Sequence, residues 1–159
     1  MRLPDAEKLG PPAVQLAGFE FWVHGRQFPA RAGEPEPAPY DADWLVVTAH
    51  CAAPGARVWA AGALLTSSDL ARWLDECEVL RDRLEGAAEL RSYEPNVRVR
   101  LAGEGRTGAV TLTVDLTPDH TTQAHQFEFP IDQSYLPQLV DSLRAALHVY
   151  PVPPALCPR

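Results

Sequence analysis

Five His, three Cys and 21 Asp plus Glu are the side chains of this 159-residue chain with the most chemistry to offer. Metal binding would need several of them at ligand spacing, and the pattern does not supply it. His50 and Cys51 are adjacent, so on a strand they point to opposite faces and do not grip one ion together. His120 and His125 straddle a turn. Cys51, Cys77 and Cys157 form an odd, widely spaced set without a C-x-x-C pair. Cys51 falls in an alternating apolar run and Cys77 on a helical apolar stripe, so both are expected to be small buried hydrophobes in a reducing cytoplasm. Gly103-Glu104-Gly105-Arg106-Thr107-Gly108 matches G-x-G-x-x-G in its letters. It lies between two strand-like runs, however, and lacks the following helix whose N-terminus would hold a pyrophosphate. No serine sits in a G-x-S-x-G elbow. Glu94 could join Asp115 or Glu128 as a carboxylate pair, but spacing selects neither. No catalytic residue, metal ligand or cofactor is expected.

A different pattern suits binding. Trp22, Trp44 and Trp59 fall on the polar parity of their strands, beside Glu20, His24, Thr48, His50 and Arg57. Trp and Arg among polar groups are what protein-binding hot spots use. The competing reading is that the rings stack on one another, or under a loop, as a second small core. A bulge in any of these strands would also change the sidedness beyond it. Glu34, Glu36, Asp41 and Asp43 add four negative charges with no base among them. The candidate partner contacts are therefore Trp22, Trp44, Trp59, Arg57, Glu34, Glu36, Asp41 and Asp43. From Asp69 to Glu89 there are seven acids against three Arg, which suits either a solvated helix face or a docking surface for a basic protein.

The elements that must position these groups are legible from hydrophobic period. Phe19, Phe21 and Val23 alternate with polar residues, as do Leu45, Val47, Ala49 and Cys51, and then Val58 and Ala60. Thr66-Ser67-Ser68-Asp69 is a capping box, followed at helical spacing by Leu70, Trp73, Leu74, Cys77, Leu80 and Leu84, with Gly86 as the stop. Four further strands are expected: Ala88 to Tyr93, Val97 to Leu101, Val110 to Leu116, and His125 to Phe129. A second helix carries Leu136, Leu139, Val140, Leu143 and Leu147, capped by Asp132 or Ser134, with Pro137 in its first turn. The order is β-β-β-α-β-β-β-β-α. This predicts an α+β fold, an antiparallel sheet of about seven strands with two helices packed on one face. One domain spans the chain, with an ordered core at about residues 16–150. A loose N-terminus, a Pro-rich loop at 29–39 and a Pro-rich C-terminal tail flank or interrupt it.

Composition narrows the partners. Hydrophobic residues at 46% and charged residues at 22% suit a globular core. The net charge of −7 argues against a nucleic-acid partner, which favours a basic surface. No leader-like apolar segment and no run near the roughly 18 residues of a membrane span is present, so no membrane association is expected.

Three short motifs occur in order: Tyr40-Asp41-Ala42-Asp43-Trp44-Leu45, Leu64-Leu65-Thr66-Ser67-Ser68-Asp69-Leu70, and Tyr93-Glu94-Pro95-Asn96-Val97. Together they resemble the WapI-like immunity protein family of bacteria over about residues 16–150, with Asp43 standing where that family usually has Asn. The resemblance implies a non-catalytic cytoplasmic antitoxin that binds the toxic domain of a contact-delivered toxin, often a basic nuclease. Trp44, Leu45, Thr66, Glu94, Pro95 and Asn96 would then be structural residues of the motifs. Pro95 fixes a turn, and Asn96 is suited to left-handed backbone there. Two other functions stay open at this point. One is a ligand-binding or enzymatic domain with a pocket near His24, His50 and Glu94; the other is a homo-oligomeric structural subunit, with a homodimer as its simplest form.

Overall fold

The computed structural model describes residues 8–157; of the expected loose N-terminus ahead of about residue 16, positions 1–7 lie outside them. The chain runs β1 (Val14–Leu16), β2 (Phe19–Arg26), α1 (Pro39–Asp43), β3 (Trp44–Ala53), β4 (Ala56–Thr66) and α2 (Ser67–Arg83). It continues with β5 (Glu85–Arg91), β6 (Val97–Glu104), β7 (Ala109–Leu116), β8 (Gln126–Asp132) and α3 (Tyr135–Val149). Short 3₁₀ turns occupy Gly105–Thr107 and Pro154–Leu156.

The α+β class and antiparallel pairing are as the alternation predicts. The strands number eight, however, and they form two four-stranded sheets, β1-β2-β3-β4 and β5-β6-β7-β8. Each sheet is a meander of sequence neighbours followed by a long helix, so the backbone repeats a unit of four strands and a helix that no sequence repeat announces. The extra strand is β1, three residues paired with β2 through Val14–Phe21 and Leu16–Phe19. The extra helix is α1, one turn long, which closes the Pro-rich loop.

Alternation places Phe19 and Phe21 of β2, then Leu45, Val47, Ala49 and Cys51 of β3, in the core without exposure. Val99 and Leu101 of β6 and Leu112, Val114 and Leu116 of β7 do the same for the second sheet. The two halves share that core: β3 meets β7 and β8, α2 packs on β5 and α3, and α3 reaches back to β1. Gly18, in the β1–β2 turn, marks the tightest approach. A Cβ there would sit 2.2 Å from the Ala52 carbonyl oxygen and 2.7 Å from the Phe129 ring, so only hydrogen fits.

Both caps can be checked against the chain. Thr66 Oγ1 accepts from Asp69 N, and Asp69 Oδ2 accepts from Thr66 N, each at 3.0 Å. This is the expected reciprocal box. At the other end of α2, the stop falls earlier than Gly86. Leu84 takes the left-handed cap with φ 57°, its N–H bonded to the Leu80 carbonyl, and Gly86 already belongs to β5. At α3, Asp132 Oδ1 receives the Ser134 N–H at 2.8 Å, while the Ser134 side chain makes no capping bond.

Candidate partner-binding surface

The tryptophans divide into two places. On the outer face of the first sheet, Trp22 and Trp59 stack with ring centroids 6.0 Å apart, and His50 lies on Trp59 at 4.0 Å. The Trp22 indole N–H donates to the Gly10 carbonyl at 2.8 Å, and Glu20 approaches His50 Nδ1 at 3.3 Å. Both indoles are buried. These rings form the second small core, closed over by the segment around Gly10, and present no free aromatic face. Trp44 shares their parity but stands six residues before His50, about 20 Å along the strand. Arg57 is exposed at the far end of β4, away from α1.

Around Trp44 the three sequence motifs meet. Asp43 Oδ1 accepts the Ser68 N–H at 3.3 Å, which joins the first motif to the start of α2. Ser92, preceding Tyr93, donates its hydroxyl to the Leu64 carbonyl, joining the third motif to the second. Arg72 on α2 pairs with Asp69 at 2.8 Å and donates to the Arg91 carbonyl at 2.7 Å. The result is an open groove of about 680 Å³ whose walls include Tyr40, Asp43, Trp44, Asp69 and Tyr93. Tyr40 is 75% exposed and Tyr93 91% exposed, whereas Asp43 is only 4% exposed. Asp43 is therefore not an open surface charge like Asp41; it is a floor residue of this groove.

A second groove, of about 470 Å³, lies across the Pro154–Leu156 turn, lined by Arg26, Phe28, Glu36, Pro37 and the C-terminal prolines. Arg26 organises this corner. Its guanidinium donates to the Ala42 carbonyl at 2.7 Å, to Ser67 Oγ at 2.9 Å and to the Pro151 carbonyl. It thereby ties α1, the start of α2 and the C-terminal segment at Pro151. Glu34 is exposed and lies 3.8 Å from Arg31. The structure thus gathers Glu36, Asp41, Asp43 and Trp44 around α1 and leaves Trp22, Trp59 and Arg57 elsewhere on the first sheet. The sequence reading passed over Tyr40, Tyr93, Phe28 and Arg26. The two tyrosines carried a usable signal, because each opens one of the motifs.

Near the third motif, Glu94 and Asp115 do line a common hollow, which they share with Arg91 and Arg98. Asn96 does not use left-handed backbone. Its buried Nδ2 instead donates to the Thr117 carbonyl at 2.7 Å and the Pro118 carbonyl at 3.3 Å. His24 bonds Thr48 Oγ1 at 2.8 Å on the first sheet, apart from Glu94 in the β5–β6 turn. Leu45 is wholly buried. Cys51 and Cys77 are free and buried, and Cys157 is free and exposed. Burial pushes the Cys51 thiol up to about 12, and burial beside Glu76 and Glu78 pushes Cys77 up as well. Among the described residues, no group of three His, Cys, Asp or Glu could hold a metal, and no helix is long and apolar enough to cross a membrane.

Two antiparallel meanders braced by helices carry an aromatic and acidic groove at the junction of the three motifs. The chain belongs to the WapI-like immunity protein family, whose pattern it matches over residues 14–151. No curated protein matches it. Among solved structures, that of the plant transcriptional regulator PBF-2 is similar, at 11% identity and a TM-score of 0.48, covering 83% of this chain and 75% of that one.

Proposed function

We propose that the chain is a non-catalytic cytoplasmic immunity protein that neutralises a cognate basic toxin domain by covering its surface. The observation that carries this reading is the family match, which spans nearly the whole described chain. The net charge of −7 and the exposed Glu34, Glu36 and Asp41 supply the matching electrostatics. Exposed Phe28, Tyr40 and Tyr93, on the same side as α1, supply apolar area that a partner would bury. The mechanism is blockade: acidic groups steer the basic domain in, and the aromatic face excludes water once it is seated. The partner is a protein, with neither nucleic acid nor membrane in the complex.

The test starts from the gene neighbourhood: a toxin domain found there is co-expressed with this chain. Growth should be restored, and the two chains should co-purify with an association rate that falls steeply between low and high salt. Unrelieved toxicity, with no basic protein recovered at low salt, would reject the reading.

A further inference from the structure

Asp43 is the least expected group in the groove. Its carboxylate is almost fully buried, yet only Oδ1 is used, receiving the Ser68 N–H at 3.3 Å. Oδ2 takes no hydrogen bond from any described residue and is not sealed from solvent, and no described cation pairs with the group. A buried carboxylate ordinarily has its charge met by a cation or by several donors. Here the described residues supply one donor, the Ser68 N–H, and leave Oδ2 open to what enters the groove. Of its two acids, Asp69 is already paired with Arg72, and among the described residues no basic side chain stands in the wall. The partial positive charge at the start of α2 offsets Asp43 only in part, at roughly half an elementary charge. Exposed Asp41, which follows Tyr40 on α1, adds further negative charge on that side.

Besides Thr66, Ser68, Ala155 and Leu156, the lining is aromatic: Tyr40, Trp44 and Tyr93, with two phenolic oxygens. A carboxylate oxygen open to an aromatic-walled groove is the chemistry that selects a planar cation. A guanidinium offers donors in a fixed planar fork and stacks flat on rings, whereas an ammonium is a compact, strongly hydrated point charge without that fork. We propose that this groove receives an arginine side chain of the partner protein. Asp43 is its charge partner, and Tyr40, Trp44 and Tyr93 are its aromatic walls. The assignment rests on the immunity reading for the identity of the partner, and on the groove alone for the arginine.

The test uses N-acetyl-arginine amide as the probe, titrated at low salt into the full chain. The Trp44 indole N–H and the Ser68 amide are followed by nitrogen-15 NMR. N-acetyl-lysine amide and the neutral N-acetyl-citrulline amide serve as comparisons. Saturable shifts at both reporters are expected with arginine and none with citrulline, and Asp43→Asn should weaken the arginine probe at least tenfold. That variant keeps an oxygen for the Ser68 N–H; should it fail to fold, Tyr93→Ser, at an exposed position, should still weaken binding at least threefold. Absent shifts, equal response to citrulline, tighter binding of lysine, or unchanged affinity in both variants would overturn the proposal. The two readings fail separately. Protection from the toxin domain by a chain that ignores the arginine probe overturns the groove and leaves immunity standing. Binding of arginine at Trp44 without protection does the reverse.

Discussion

Asn96 and Thr117 hold each other twice: the Asn96 side-chain amide donates to the Thr117 carbonyl at 2.7 Å, and the Thr117 N–H donates to the Asn96 carbonyl at 2.9 Å. The pair pins the β5–β6 turn to the end of β7. Asn96→Ala would leave the Thr117 carbonyl without its side-chain donor, at a cost of about 2 kcal/mol. Urea unfolding should show the lowered midpoint with an unchanged slope. A loss below about 0.5 kcal/mol would mean that water replaces the amide.

Gly18→Ala should be the most damaging of the small substitutions. Backbone oxygen and an aromatic ring occupy the space that the methyl needs, and the carbonyl of Ala52 cannot swing away because Ala52 N also bonds the Gly18 carbonyl at 3.0 Å. About 3 kcal/mol of destabilisation is expected, at the upper end for overpacking. Thermal melting of the variant would report it, and a wild-type melting temperature would contradict the close approach.

Thr66→Ala removes one arm of the capping box and should cost about 1 kcal/mol, whereas Thr66→Ser, which keeps the hydroxyl, should cost far less. The contrast separates the hydrogen bond from the loss of side-chain bulk. Equal losses in the two variants would reject a capping role.

Asp119 gives a pH signature. The Thr121 and Thr122 hydroxyls, at 2.6 and 2.8 Å, and the Thr121 N–H, at 2.9 Å, hold its carboxyl at about 2, below its ordinary value. A lowered folded-state value favours folding above the ordinary carboxylate range, and that contribution fades as pH falls towards 2. Carbon-13 titration should place the Asp119 midpoint near 2 in the native chain and nearer the ordinary value in Thr121→Val.

The thiols should react in a fixed order. Exposed Cys157 should be modified promptly by an aromatic disulfide reagent, and Cys51 and Cys77 only on unfolding. Because burial raises the Cys51 thiol to about 12, its contribution to stability is complete below the unfolded thiol range and is lost as pH rises through that range towards 12. Modification of all three native thiols at neutral pH would argue against the packing of β3 and α2.

Much of the fold was legible because alternation survives wherever one face is buried: β2, β3, β6 and β7 read directly from Phe19 to Phe21, Leu45 to Cys51, Val97 to Leu101 and Val110 to Leu116. The strand β1 escaped because three residues between Pro12 and Gly18 are too few to display a period. Alternation records which side of a strand is apolar but not which strand lies next to it, so the division into two sheets was not readable. The same limit grouped Trp44 with Trp22 and Trp59, since parity carries no information on position along the strand. The groove was present in the sequence only as separate motifs. Nothing in the linear order of Asp43, Ser68 and Tyr93 states that they adjoin.

The contact of α3 with β1 sets an order of events during synthesis. Strand β1 leaves the ribosome well before α3, the helix that covers it. At about 5–20 residues per second, the interval between Leu16 and Val149 is roughly 7 to 27 s. Throughout it, the apolar side of Val14 and Leu16 lacks its native cover. A chain with this layout completes its first half only when its second half is finished, so a truncated translation product would carry an open hydrophobic flank and be a natural target for chaperones and proteases.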